Sequence, residues 1–288
     1  IANMEFTLAG KPYTGYPAFS APDSFIEYLA DCGIDVFLGA NNHIYDKRCK
    51  GLERTICQLE CLKDKGFDIH FSGIAADSAQ LRKTNPLTLR SKGMSVSLVN
   101  FTYGTNLGAD KQWPKVNYMS DREQIGNALK KASASDLTIA LPHWGEEYKL
   151  SPSETQKSTA KWLASAGADI IIGSHPHVPQ SFETISSGNV PVAYSLGNAV
   201  SNMSAENTQL ELMATIRLVR EPDGDIILLP VGLTYLWCSR PGGFGKSYTV
   251  IPVKHFIGKK QLWSGSWDYD KMINTYNKVK NTIKIEDF

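Results

Sequence analysis

From Ile1 to about Gly197, short apolar runs alternate with helix-period patterns, and this alternation restricts the chain to a layered α/β fold. Phe25, Ile26, Leu29 and Cys32 recur at helical spacing behind Pro22, Asp23 and Ser24, and Gly33 stops that helix. Val36, Phe37 and Leu38 follow as a short buried strand. Residues 52–65 repeat the helical arrangement, with Gly66 as the stop. Residues 96–101 and 137–141 are further strand runs, and residues 121–131 between them read as a helix. Ser153 is placed to cap a helix with a stripe of Thr159, Trp162, Leu163 and Ala166, closed by Gly167. Residues 170–172 form the strand that comes next.

Beyond Asn198 the pattern changes. Residues 210–219 and 225–236 alternate as two long antiparallel strands, joined by the turn Glu221-Pro222-Asp223-Gly224. From Pro241 the chain is rich in Gly and aromatics, with a helix expected over residues 269–280. One domain over residues 1–240 and a C-terminal extension, 241–288, packed on it are expected.

With 288 residues, 42% of them hydrophobic and 20% charged, the chain can bury the core of a globular enzyme. A formal net charge of +1 argues against a broad electrostatic contact with nucleic acid. A local pocket for an anionic small molecule or polymer remains compatible with it. No apolar run approaches the roughly 20 residues that cross a bilayer. The chain opens without Met, in what reads as the end of a strand, so it is expected to be the downstream part of a longer protein whose targeting segment lies elsewhere. Its five cysteines include Cys57 and Cys61 on one helix face, read as small buried apolar groups rather than as a zinc knuckle.

The polar residues of interest stand just after the strands, where open α/β sheets place ligands. Asn41, Asn42 and His43 follow the run from Val36, His143 follows residues 137–142, and His175 and His177 follow residues 170–173. Glu5 lies in or after the opening strand. In an extended backbone, His175 and His177 would face the same way across Pro176, whose ring fixes the local φ. Taken singly, each has a bland reading: solvated imidazoles in a turn, an Asn that caps a helix, a structural His. Taken together, four of the six histidines fall in three strand-end loops. Mixed imidazole, amide and carboxylate donors suit Mn²⁺, Fe or Zn²⁺ better than Ca²⁺. A protonated His43 beside such a centre could supply a leaving-group proton.

At these residues the sequence resembles the CapA type of poly-γ-glutamate capsule biosynthesis proteins, a branch of the calcineurin-like metallophosphoesterases. The resemblance runs from Asn3-Met4-Glu5 through Ala40-Asn41-Asn42-His43, His143-Trp144-Gly145 and residues 166–178 to Tyr194-Ser195-Leu196-Gly197-Asn198. It implies a four-layer αββα sandwich with two metals at the strand ends. Asn42, His143 and His175 would be ligands to the second metal, His177 a ligand to the first, and His43 the general acid. Glu5 stands where the superfamily has a bridging Asp. Asn41, Trp144, Glu147 and Asn198 are expected to meet the substrate. Ala40-Asn41 replaces the glycine usual before Asn-His, and the superfamily's opening Asp and His motif has no counterpart. The branch carries a Gly-Asp upstream of the Glu5 position. An Asp upstream of Ile1 is therefore expected to complete the set, leaving two divalent ions incompletely held by this chain unless Asp46 or Glu147 substitutes.

The function implied is that of a cell-envelope capsule-biosynthesis protein with a metal-dependent phosphoesterase-like site and capsule-assembly partners. Two other readings stay open: a non-catalytic assembly or anchoring component that binds an anionic polymer, and amide chemistry on γ-linked glutamate. Under the first reading, His143, His175 and His177 converge on a single site.

Overall fold

Parallel pairing of three short strands organises the N-terminal part of the chain. In the computed structural model, which describes residues 1–108, 112–185 and 189–288, the chain divides into two units: residues 1–143 with 163–170, and residues 144–162 with 171–288. The elements alternate as the α/β reading requires.

In the first unit, β1 (Ala2–Asn3) runs parallel to β2 (Val36–Leu38), with Asn3 opposite Leu38. Helix α1 (Asp23–Asp31) makes that crossover, and α2 (Arg48–Asp64) makes the next, to β3 (His70–Ser72). The run Val36-Phe37-Leu38 is apolar throughout because its surroundings bury it, and Phe37 shares one cluster with Met4, Ile26, Leu52, Ile56, Leu59 and Phe71. Helix α2 starts before the expected position 52, since its first turn, Arg48-Cys49-Lys50, carries no apolar stripe to reveal it. Strand β4 (Ile74–Ala75) and helix α3 (Ser78–Thr84) precede β5 (Leu87–Ser91), which pairs antiparallel with β6 (Met94–Thr102). After β7 (Lys115–Val116), which pairs with β4, Asp121 caps α4 (Arg122–Ala132) by accepting from Gln124 N at 3.0 Å. Strand β8 (Leu137–His143) then lies parallel to β6 in a register that sets Thr102 opposite His143.

Helix α5 (Glu154–Ser165) opens on a reciprocal cap: Gln156 N donates to Ser153 Oγ at 3.3 Å, and Ser153 N donates to Gln156 Oε1 at 3.0 Å. In the second unit β9 (Ile170–Ile172) runs parallel to β11 (Val190–Ala193), which pairs antiparallel with β10 (Phe182–Ile185). The two long strands expected after Asn198 are each broken in two. Strand β12 (Leu210–Thr215) is followed by β13 (Leu218–Arg220), and β14 (Ile226–Leu228) by β15 (Gly232–Ser239). Pro230 lies in the second break and has no N–H to continue a ladder. The turn falls where expected, with Gly224 N donating to Glu221 O at 2.9 Å. Strand β16 (Thr249–Pro252) extends the sheet beside β15, and the short α6 (Val253–Phe256) leads towards α7 (Ser266–Ile283). Met272, Tyr276, Val279 and Ile283 make the buried stripe of α7, in one cluster with Leu210, Leu212, Leu233, Tyr235 and Trp237.

The buried reading fails for Cys57, which is exposed because Ile56 and Leu59 occupy the inward side of α2. No helix among the described residues is long and apolar enough to cross a membrane.

Two predictions follow from the second unit. Asp268 is fully buried and accepts from Trp237 Nε1 and Trp263 Nε1, both at 3.1 Å, and from Ser239 Oγ at 2.7 Å. Asp268→Ala strands two buried indole donors, and urea denaturation should show a loss of about 3 kcal/mol. Burial alone pushes the Glu211 carboxyl up from 4.5 to about 8. Between those values the folded state keeps a proton that the unfolded chain has released, so stability falls as pH rises through that window. Denaturation midpoints at about pH 5 and about pH 9 should differ in the wild type more than in Glu211→Gln, which has no carboxyl to titrate.

Candidate functional site

The ends of β1 and β2 in the first unit carry the first set of polar groups. The ladder continues past both strands, with Met4 N donating to Leu38 O and Gly39 N donating to Ser72 O, each at 2.9 Å. Glu5 and residues 40–43 therefore leave the same edge of the sheet. Asn41 is fully buried and turns inward: its Nδ2 donates to Met4 O at 2.8 Å, and its Oδ1 accepts from His43 N at 3.1 Å. It shapes the loop instead of facing a substrate.

Strand β8 carries His143 to the same group. The strand runs two residues beyond the expected 137–141, because its pairing with β6 continues through Pro142 opposite Phe101. His143 is fully buried, and its Nε2 lies 2.8 Å from Asn42 Oδ1 and 3.8 Å from Glu5 Oε1. Tyr103 stacks on its ring with centroids 6.4 Å apart. Ligand atoms at roughly 2.1 Å from one cation stand about 3.0–3.4 Å from each other. The carboxylate, amide oxygen and imidazole nitrogen match a divalent cation in donor type, and their separations of 2.8 and 3.8 Å lie to either side of that spacing.

His43 is held differently. Its Nδ1 is 2.7 Å from Asp46 Oδ2, and that oxygen also accepts from Phe19 N at 2.8 Å. Phe19 meets the imidazole edge-on at 4.6 Å. Asp46, the alternative carboxylate for a metal, instead lies on the His43 ring, whose Nε2 is 3.5 Å from Asn106 Nδ2. Asn106, which sequence reasoning missed, donates from its backbone to Asn42 O at 2.8 Å and accepts from Asn42 Nδ2 at 3.3 Å. That contact orients Asn42 so that Oδ1 points at His143. Nothing in the sequence marks Asn106, which lies 64 residues from its partner.

His175 and His177 belong to the second unit, and their backbone is not extended as expected. Their φ values are +101° and +61°, a region that residues with a Cβ seldom adopt. Flanking hydrogen bonds impose the turn: Gly173 N donates to Ala193 O at 2.8 Å, Trp144 N to Ser174 O at 3.0 Å, and Tyr148 N to Pro176 O at 2.8 Å. The two rings are nonetheless neighbours, with centroids 5.8 Å apart. His177 Nδ1 lies 2.9 Å from Asn198 Oδ1, its Nε2 is 4.0 Å from Glu147 Oε1, and Tyr148 stacks on its ring at 6.0 Å. Glu147 is exposed. Trp144, also expected at the substrate, is 1% exposed, and its Nε1 donates to Tyr194 O at 2.9 Å. It packs the turn from beneath. Gly173 is required there, since a Cβ would stand 2.1 Å from Tyr194 O and 2.3 Å from Trp144 Nε1.

Among known proteins, residues 1–203 match the family described as bacterial capsule synthesis protein PGA_cap. The capsule biosynthesis protein CapA of Bacillus anthracis is 34% identical over 197 residues, which cover 66% of this chain and 46% of that protein. The PGA biosynthesis protein CapA of Bacillus subtilis (strain 168) is 27% identical over 210 residues, covering 72% and 53%. The chain spans about half the length of the curated relatives it matches. A Staphylococcus aureus crystal structure provisionally described as a 5'-nucleotidase, in complex with α-ketoglutarate, aligns at a TM-score of 0.50 and 14% identity, covering 73% of this chain and 39% of that one. That likeness is one of fold.

Gly73 tests how tightly the loop carrying Asn42 is held. Its φ is +89°, and a Cβ there would stand 2.1 Å from Asn100 Oδ1 and 2.8 Å from Ala40 N. Gly73→Ala should lower stability by about 3 kcal/mol, read as a shifted urea midpoint.

Proposed function

Because the chain belongs to the bacterial capsule synthesis protein family, we propose that it forms the metal-dependent phosphoesterase-type hydrolase part of a longer capsule-biosynthesis protein. The relatives' role in capsule biosynthesis implies association with the cell envelope. The proposed substrate is an anionic ester, small or polymeric, and the proposed partners are capsule-assembly proteins of the envelope.

The observation that carries the reading is the His43–Asp46 pair in the same unit as a Glu5, Asn42 and His143 donor set that suits a cation. An imidazole oriented by a carboxylate is suited to proton transfer, which supports a hydrolase over a component that only binds polymer. In the second unit His175 and His177, with ring centroids 5.8 Å apart, bring two imidazoles, donors of the kind that hold transition metals. We assign Glu5, Asn42, His143, His175 and His177 to metal binding, with two divalent ions (Mn, Fe or Zn) as the proposed complement. When bound, such ions polarise the ester oxygens and activate water.

The chain's own residues supply the rest. Asp46 fixes the His43 ring through Nδ1, so Nε2 is the atom that gives a proton to the departing oxygen. Asn106 keeps Asn42 Oδ1 turned towards His143. Glu147 is retained as a candidate substrate contact, whereas the Asn198 amide, also expected there, is engaged by His177 and Thr208.

The test is metal analysis combined with phosphatase assays in added Mn²⁺, on this chain and on the longer protein. His43→Ala should lower turnover by roughly 10²–10⁴-fold while metal content stays near that of the wild type. Asn42→Ala should lower metal occupancy. Loss of metal in a folded His43→Ala protein would overturn the division of roles, and full activity in that variant would remove the acid assignment.

A further inference from the structure

We propose that Asn198 is a positioning residue that holds His177 in the Nδ1–H tautomer, so that Nε2 keeps its lone pair for a cation. The use of that lone pair rests on the metal-site reading above; the tautomer does not.

The argument begins with the amide. Asn198 Nδ2 lies 3.3 Å from the Thr208 carbonyl oxygen and 3.5 Å from Met203 Sδ. A carbonyl oxygen can only accept, so the NH₂ end of the amide must face Thr208. Its other end, Oδ1, therefore faces the imidazole, 2.9 Å from His177 Nδ1. That oxygen can only accept in turn, so Nδ1 must carry the proton. In a neutral imidazole the other nitrogen is then bare.

The frame behind Asn198 is rigid enough to impose this choice. Thr208 Oγ1 donates to Ala205 O at 2.7 Å and to Met203 O at 3.1 Å, which closes the turn presenting the Thr208 carbonyl. On the other side, Gly197 bridges to Glu211 on β12 and donates to Ser195 Oγ at 3.2 Å. The ring is restrained too: His177 is 8% exposed, and the Tyr148 ring lies over it. Its backbone φ of +61° narrows the side-chain directions further. Residues at metal-binding imidazoles that fix the tautomer in this way change metal affinity by roughly 10–100-fold when removed.

The experiment is ¹⁵N NMR of the imidazole nitrogens in metal-free protein with the rings neutral, alongside Zn²⁺ competition titrations. Wild-type His177 should show a protonated Nδ1 and an unprotonated Nε2. Asn198→Ala should admit the Nε2–H tautomer and weaken Zn²⁺ binding by roughly 10–100-fold. Asn198→Asp, which keeps an accepting oxygen, should restore the Nδ1–H signature. A wild-type spectrum with the proton on Nε2 overturns the proposal whether or not any variant folds. Unchanged tautomer and unchanged Zn²⁺ affinity in Asn198→Ala overturn it as well. Wild-type protein with Nδ1–H but no Zn²⁺ uptake would sustain the positioning role and remove the metal-site reading instead.

Discussion

Asn100, 2% exposed in the middle of β6, ties together the strand ends that carry Asn42 and His143. Its Oδ1 accepts from Ala40 N at 2.9 Å, and its Nδ2 donates to Leu141 O at 2.8 Å. Its own carbonyl accepts from Asn117 Nδ2 at 3.0 Å. A buried amide is tolerable only when its groups are paired, and here the pairing fastens the loop after β2 to the strand of His143. Asp would lack the donor for Leu141, and Leu would leave two backbone groups unmet. The absence of a side chain at Gly73 follows from the same contact, since the amide fills the space where its Cβ would stand.

The second unit solves a related problem with the backbone rather than with a buried amide. Two non-glycine residues at positive φ would relax if the chain were free, at a gain of roughly 1–3 kcal/mol each. Hydrogen bonds on both sides of Pro176 and the Trp144 indole beneath Gly173 oppose that relaxation. The Tyr194 hydroxyl donates to Glu183 while its carbonyl receives the indole N–H, so one residue anchors both the strand and the turn. Strain held in this way is a common property of functional turns, where side chains must be aimed in directions that relaxed backbone does not offer.

These two devices explain what could and could not be read in advance. Helices α1, α4 and α7 were visible because their apolar period and flanking residues agree, and β2 and β9 because three buried residues in a row admit little else. The residues at the strand ends were visible through their chemistry. Their partners were not. Asn100 and Asn106 are unremarkable in sequence, and their roles depend on contacts 60 and 64 residues away. The conformation of His175 and His177 is not legible in the sequence, because past the end of β9 the neighbouring loops decide the geometry. The breaks in the long strands after Asn198 escaped for a simpler reason: alternation continued through Pro230, although a proline cannot donate to a ladder.

The hydrogen-bond partners also differ between the histidines, in line with the roles proposed for them. His43 Nδ1 meets a carboxylate, and the contact is an ion pair whenever the ring is protonated. His177 Nδ1 meets the neutral amide oxygen of Asn198. A carboxylate partner suits an imidazole that must carry and release a proton, because it accompanies the ring through both charge states. The Asn198 amide has no charge to stabilise imidazolium, and through its fixed oxygen it favours the neutral tautomer that leaves His177 Nε2 unprotonated. Had the same chain placed Asp at 198 and Asn at 46, His177 would gain a partner suited to a proton carrier and His43 would lose one. The side chains facing each ring therefore carry the proposed assignment of acid and ligand further than the histidines' shared position at strand ends does.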